Sequence, residues 1–276
     1  MKAEKTGYLH REYEIFYLET TEFREFSYHY HEFYKILIFL QGDVEYFVEG
    51  KTYFLQPNDI VLIRPGDIHR PVLTTKKRYE RIILYLSPTF FEAWKDKGFS
   101  FLRPFELVYE NGSNVLTLPR PELITFYDYI KSSLHKKEFA NELLTRCQLI
   151  QYLIHLNRIC KDGTERASLP TDISDKKILD IISFINQNID KPISIDKIAR
   201  HFFWSRSYLM HYFKKKTGLT LGNYITDKRL YLAQKSLKQG FSVSEACVHS
   251  GYHDYQTFYK AFRKKFGISP SEYGKE

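Results

Sequence analysis

The last third of the chain carries one spaced pattern twice. "SIDKIARHFFWSRSYLMHYFKKKTGLT" begins at Ser194 and "SVSEACVHSGYHDYQTFYKAFRKKFGIS" at Ser242. Ile195, Ile198, Ala199 and Trp204 match Val243, Ala246, Cys247 and Tyr252 at an offset of 48; after one inserted residue, Leu209, Phe213 and Gly218 match Phe258, Phe262 and Gly267 at 49. A repeat this short, with a helical pair in each copy, is one motif used twice. Each copy reads as helix, tight turn, helix. Ser242 with Glu245 predicts a capping box, Ser205 an N-cap, Gly218 and Gly267 C-terminal stops, and Ser269-Pro270 a helix restart. One helix over 220–239 is expected to join the copies.

The second helix of each copy separates into two faces. In copy two, Phe258, Ala261 and Phe262 recur at helical spacing and face a core, with Tyr252 ahead of them. Tyr255, Gln256, Tyr259, Lys260, Arg263 and Lys264 form the other face, with Lys265 beside them. In copy one, Leu209, Phe213 and Tyr212 are expected inside. Arg206, Ser207, Met210, His211 and Lys214 are expected outside. Long basic and amide side chains on one face suit phosphates and base edges. A solvated amphipathic helix accounts for one such face more readily than for two of the same geometry. Charge adds to this reading: residues 174–276 hold 18 Lys and Arg against 9 Asp and Glu, while residues 1–173 hold 23 against 24. A polyanion partner is therefore expected for the C-terminal part alone.

These residues carry a resemblance. Residues 174–276 resemble the DNA-binding domain of the AraC/XylS family of bacterial transcriptional regulators. Arg229, Leu230, Ala233, Gly251, Phe258, Phe262, Gly267, Pro270 and Tyr273 stand where the family pattern has them. Cys247 replaces a usual Ala, Tyr252 a usual Phe, and Gly274 follows Tyr273 where Arg is common. The resemblance implies two helix-turn-helix units on a rigid linker helix, reading successive major grooves roughly 34 Å apart.

Before residue 118 the chain reads as strands. "HYHEFYKILIFL", "DVEYFVEG", "KTYFLQ" and "DIVLIRPG" are short β-branched and aromatic runs punctuated by Gly42, Gly50, Pro57-Asn58 and Pro65-Gly66. A short helix is expected over 87–96, and longer ones over 121–136 and 139–160. The last carries two apolar stripes: Leu143, Cys147, Ile150 and Ile154, and beside them Leu149, Leu153, Leu156 and Cys160. Together they are wider than a helix buries on its own domain. The first stripe is assigned to a dimer contact and the second to the barrel; the reverse assignment, and both stripes packed on the barrel, stay open on sequence. Residues 161–175 read as a linker.

"HYHEFYKILIFLQGDVEYFVEGKTYFLQPNDIVLIRPGDIH" resembles a cupin, the small double-sheet barrel found at the N-terminus of this regulator family. His29 and His31 point the same way on a strand. His69 follows the Pro65-Gly66 turn, where the cupin pattern has its last ligand. Lys35 stands where metal-binding cupins carry Glu, and an ammonium has no lone pair to donate. Three readings stand side by side: His29, His31 and His69 hold a divalent metal, line a pocket for an organic effector with Lys35 and Arg64, or serve as satisfied structural side chains.

The fold expected is a two-domain chain. An all-β cupin-like barrel with trailing helices (1–160, effector binding and dimerisation) precedes an all-α double helix-turn-helix (176–276). The function expected is a sequence-specific transcriptional regulator under a small-molecule effector. The resemblance makes a sugar or related metabolite the effector class, and promoter DNA, a second copy and RNA polymerase the partners. A metal-dependent cupin enzyme or metal sensor tethered to DNA is the alternative. Lys35 and the lack of any other acid–base constellation argue against it, and no cofactor is expected. The N-terminus lacks the apolar run of a signal peptide, the run at 36–40 is too short to span a bilayer, and three cysteines without a C-x-x-C pattern suit a reducing cytoplasm.

Overall fold

The computed structural model describes residues 4–5, 9, 11–22, 25–95, 100–118, 121–134, 136–162 and 176–274. Its contacts divide the chain into a unit of residues 5–173 and one built on residues 174–276.

The first unit pairs two antiparallel five-stranded sheets. Its strands are β1 (Glu4–Lys5), β2 (Tyr13–Thr20), β3 (His29–Tyr30), β4 (Tyr34–Gln41), β5 (Val44–Val48), β6 (Lys51–Phe54), β7 (Asp59–Ile63), β8 (His69–Leu73), β9 (Tyr79–Leu86) and β10 (Val115–Thr117). One sheet runs β1-β3-β8-β5-β6 and the other β10-β7-β4-β9-β2. The second sheet is covered on both sides, so its central strands are apolar throughout rather than alternating. In β4, Leu37 and Phe39 join a core with Tyr46, Val48 and Leu73 of the facing sheet. The intervening Ile36 and Ile38 pack under helices beside Ile60, Leu62, Ile82 and Leu84. Period-two geometry thereby puts Lys35, with Leu37 and Phe39, inside the sandwich. It puts Arg81, with Ile83 and Tyr85 of β9, inside as well.

Four helices cover the outer face of the second sheet: α1 (Pro88–Lys95), α2 (Arg103–Asn111), α3 (Pro121–Ser133) and α4 (Asn141–Asp162). The helix α2 corrects the expectation of strands throughout this part. Its Phe105 ring meets Tyr34 at 4.8 Å and Phe91 at 6.1 Å, so helical packing onto β4 decides a segment whose short apolar run has no clear period. The end of α4 also takes in Lys161 and Asp162, assigned to the linker on sequence; the rest of that linker, 163–175, lies outside the described residues.

The second unit is helical: α5 (Lys176–Gln187), α6 (Ile195–His201), α7 (Arg206–Thr217), α8 (Leu221–Lys238), α9 (Val243–His249), α10 (Tyr255–Phe266) and α11 (Pro270–Tyr273). Its boundaries follow the caps. Ser242 and Glu245 form a capping box, as do Ser269 and Glu272, while Gly218 and Gly267 end α7 and α10 with φ of 74° and 81°. The central helix α8 supplies Leu230, Ala233 and Leu237 to a core with Phe258 and Phe262. Gly251, in the α9–α10 turn, has φ +79°, and a Cβ there would lie 2.3 Å from the Ile189 carbonyl oxygen. Arg229 of α8 donates to that same carbonyl at 3.2 Å and to the Lys191 carbonyl at 2.9 Å. A bare backbone at 251 and one arginine thus fasten the end of the α5 segment to the second motif.

Candidate functional site

Two surfaces and one interior cluster carry the polar chemistry. On α7, Ser205 accepts from the Tyr208 amide at 3.2 Å, which fixes where the helix begins. Leu209 and Phe213 are buried, so Arg206, Ser207, Met210, His211 and Lys214 face solvent together. On α10, Asp254 accepts from the Thr257 amide at 2.6 Å, and Phe258 and Phe262 are buried. Tyr255, Gln256, Lys260, Arg263 and Lys264 are exposed, with Tyr259 partly so. The expected outer faces are therefore the outer faces.

Three details differ. Lys265 turns away: its Nζ lies 2.7 Å from Asp227 Oδ1, with side chains only 14% and 7% exposed, so it serves the core. Tyr212 is only partly buried, held edge-on to Trp204 at 4.9 Å. Tyr208, not singled out on sequence, also meets Trp204, at 4.8 Å, and remains half exposed on the same helix. Arg206 pairs with Asp196 at 2.6 Å, but both side chains are 55% exposed. Such a pair is weak and yields readily to a phosphate.

Inside the first unit, the three histidines converge. The strand β3 places His29 opposite His69 of β8, and the ligand atoms of His29, His31 and His69 lie within 4.8 Å of one another. His31 and His69 are buried, whereas His29 is partly exposed on the short strand β3. His29 Nδ1 bonds the Ser27 carbonyl and His69 Nδ1 the Asp67 carbonyl, both at 2.9 Å. A carbonyl only accepts, so both rings carry the proton on Nδ1 and the lone pair on Nε2. Lys35 Nζ donates to His69 Nε2 at 3.2 Å. Burial, with the Lys35 charge second, lowers His29 to about 4 and holds His69 well below the usual imidazole range. Burial also brings Lys35 down to about 7, with the Arg81 charge as the second cause.

The Nδ1 bonds of His29 and His69 to backbone carbonyls leave Nε2 as the outward-facing nitrogen, and the obstacle to a metal is Lys35, which occupies Nε2 of His69 and, when protonated, repels a cation. Arg64 does not join the cluster. It pairs with Asp67 at 3.3 Å, and its charge acts on Tyr34, which packs beneath the helices on the opposite face from Lys35. Three interior groups went unnoticed on sequence: Arg81, Tyr46 and Tyr79. The signal was an arginine within the apolar run "YERIILYL".

Along α4, Leu149, Leu153, Leu156 and Cys160 are buried in the core. Leu143 and Cys147 are exposed, and Ile150 and Ile154 are partly so. Phe139 and Leu144 extend the apolar surface at the same end of the helix.

A helical unit with two helix-turn-helix pairs and a separate β-sandwich unit fit a regulator with a DNA-binding and a ligand-binding domain. The comparisons agree: residues 14–153 match the model of the AraC-like ligand binding domain, and residues 198–276 that of a helix-turn-helix domain. The chain belongs to the AraC family of transcriptional regulators. Regulatory protein SoxS of Escherichia coli K12 is 37% identical over 103 residues, 37% of this chain and 96% of that one. The lactose operon transcription activator of Staphylococcus xylosus is 26% identical over 260 residues, 90% of this chain and 86% of that one. Among solved structures, a variant of apo ToxT from Vibrio cholerae aligns over 98% of either chain at 14% identity, with a TM-score of 0.42. Among the described residues, no helix is long and apolar enough to cross a membrane.

Proposed function

We propose that this chain is a cytoplasmic, non-enzymatic regulator that binds promoter DNA through α7 and α10 and responds to a small molecule held in the β-sandwich. The observation that carries the reading is the pair of exposed polar faces, each backed by buried aromatic side chains, on one helical unit. In this reading Arg206, Ser207, Met210, His211 and Lys214 meet one major groove. Tyr255, Gln256, Tyr259, Lys260, Arg263 and Lys264 meet the next. His29, His31, Lys35 and His69 contact the effector, and a sugar or related metabolite is its class, in keeping with the lactose operon activator among the relatives.

Residues 1–160 form the effector and dimerisation domain and 176–276 the DNA-binding domain. Leu143, Cys147, Ile150 and Ile154 face a second copy, and Phe139 and Leu144 widen that face. RNA polymerase is the partner at the promoter.

Selection from random duplexes by the full chain tests the DNA reading. The expected product is a site with two contacted segments about one helical turn apart. Recovery of no preferred sequence contradicts it. For the dimer, Leu143→Asp with Cys147→Asp should sediment as a folded monomer; an unchanged dimer removes these residues from the interface.

A further inference from the structure

The interior of the sandwich holds hydrogen-bond donors and, at Lys35, an amine whose protonated form has no matching negative charge among the described residues. Lys35 is only 4% exposed. Its one hydrogen bond among the described residues goes to a neutral imidazole, His69, and its Nζ stands 5.9 Å from the centre of the Tyr46 ring. Among the described residues no carboxylate lies within ion-pair distance of it.

The buried acids of this unit are committed elsewhere. Asp59 accepts from the Gln56 amide and the Thr117 hydroxyl, Asp67 from Arg64, and Glu80, on the helix-covered face, from Tyr17 and Lys131. A second buried cation, Arg81, adds to the cost of charging Lys35; its guanidinium lies over the Tyr79 ring and donates to the Thr20 hydroxyl and the Tyr79 carbonyl. The hydroxyls of Tyr46 and Tyr79 are buried with no hydrogen-bond partner among the described residues. Both rings lie in the same core as Leu37 and Ile83, and the electrostatics of Tyr46 are coupled to Tyr79, Tyr85 and Arg81.

A buried ammonium with no counter-charge, beside buried phenols with no acceptor, is costly in an empty site. An anionic oxygen suits donors of this kind, because it accepts only. A metal cation or a cationic ligand makes the same site worse.

We propose that the effector carries an anionic group, a carboxylate or a phosphate, which is received inside the β-sandwich by Lys35 and the Tyr46 hydroxyl, with Arg81 and Tyr79 supplying further positive potential and a donor. This deepens the effector reading above and rests on it. The histidines complete the specificity. The Nε2 lone pair of His29 lies at the partly exposed rim, where it accepts from a hydroxyl. The site thus suits a small hydroxylated molecule, a sugar acid or a sugar phosphate, rather than a neutral sugar. The anion enters past His29 and lies deepest, at Lys35.

The test uses the full chain and four probes: inorganic phosphate, formate, D-glucuronate, and D-glucose as the neutral counterpart. Thermal unfolding is followed in a chloride-free buffer at millimolar probe concentrations. At least one of the three anions should raise the unfolding temperature of the 5–173 unit, and D-glucose should not. Lys35→Met should abolish that shift. Tyr46→Phe, which removes only the hydroxyl, should weaken the apparent affinity roughly tenfold.

No shift with any anion overturns the inference, as does a shift of equal size in Lys35→Met or an equal response to D-glucose. DNA binding, read by fluorescence anisotropy on the same samples, separates the two claims. An anion that stabilises the wild-type unit through Lys35 but leaves DNA affinity unchanged upholds the anion site and defeats its role as effector site.

Discussion

The chain displays its positive charge in two opposite settings. On α7 and α10, Lys214, Arg263 and Lys264 stand in water at the last turns, where they also complement the helix dipole. Each is held cheaply and none needs a partner to persist. Such groups suit a long polyanion, which gains affinity by adding many modest contacts. Inside the sandwich, Lys35 is stripped of water beside neutral imidazoles and tyrosines. One group of this kind discriminates strongly, because desolvation has already been met when the ligand arrives. On the function proposed above, the two settings would divide recognition between a broad electrostatic surface and a small selective interior.

The most sensitive probe of that division is pH. Lys35, His29 and His69 all bind protons less well folded than unfolded, because burial disfavours their charged forms. Between the folded and unfolded values the unfolded chain holds more protons, so stability rises with pH. The window is about 4 to 6.5 for His29 and about 7 to 10.5 for Lys35. The 5–173 unit should therefore lose stability as pH falls from 6.5 towards 4, and gain it as pH rises above 7. Lys35→Met should remove the upper rise and add on the order of a few kcal/mol at pH 7. Denaturant midpoints followed by Trp94 fluorescence read both. A midpoint independent of pH in the wild type places these groups in water, contrary to the account.

Neighbouring lysines on α10 sharpen the comparison further. Lys265→Ala removes a buried ion-pair contact from Asp227 and should destabilise the helical unit by about 3 kcal/mol. Lys264→Ala, on the exposed face, should change stability by less than about 0.5 kcal/mol and weaken binding to every DNA sequence alike. Equal effects on stability would erase the distinction between the two side chains. Between these lies Gln256→Ala, which should alter the preferred base at a cost of about 1–3 kcal/mol for the selected site. An unchanged preference removes Gln256 from base contact.

The helical unit was the more legible part in the sequence. Its period, caps and glycines are local signals, and each of Ser205, Gly218, Ser242 and Gly267 does locally what its spacing implies. Lys265 escaped that logic, because only the tertiary placement of Asp227 turns it inward. In the sandwich, His29, His31 and Lys35 were expected on one strand face, but His29 lies in β3 of one sheet, His31 just past its end and Lys35 in β4 of the other, so the change of sheet and not alternation brings them together. Arg64 misled because it lies past the end of β7, just before the Pro65-Gly66 turn, where the anchor at Asp67 rather than strand alternation sets the direction. Arg81 and Tyr46 were hidden because their shared interior is made by strands far apart in sequence, from two different sheets. The helix α2 escaped for the same reason: it is determined by the sheet it covers.

Salt dependence of DNA binding by the full chain tests the central claim most directly. The logarithm of the association constant should fall steeply and linearly with the logarithm of salt concentration, because each phosphate neutralised from the exposed faces of α7 and α10 releases counterion. Lys214→Ala combined with Lys264→Ala should make that slope shallower by about 2, one for each phosphate left without its lysine. A binding constant indifferent to salt, or a slope unmoved by the double substitution, contradicts the assignment of these two faces to DNA.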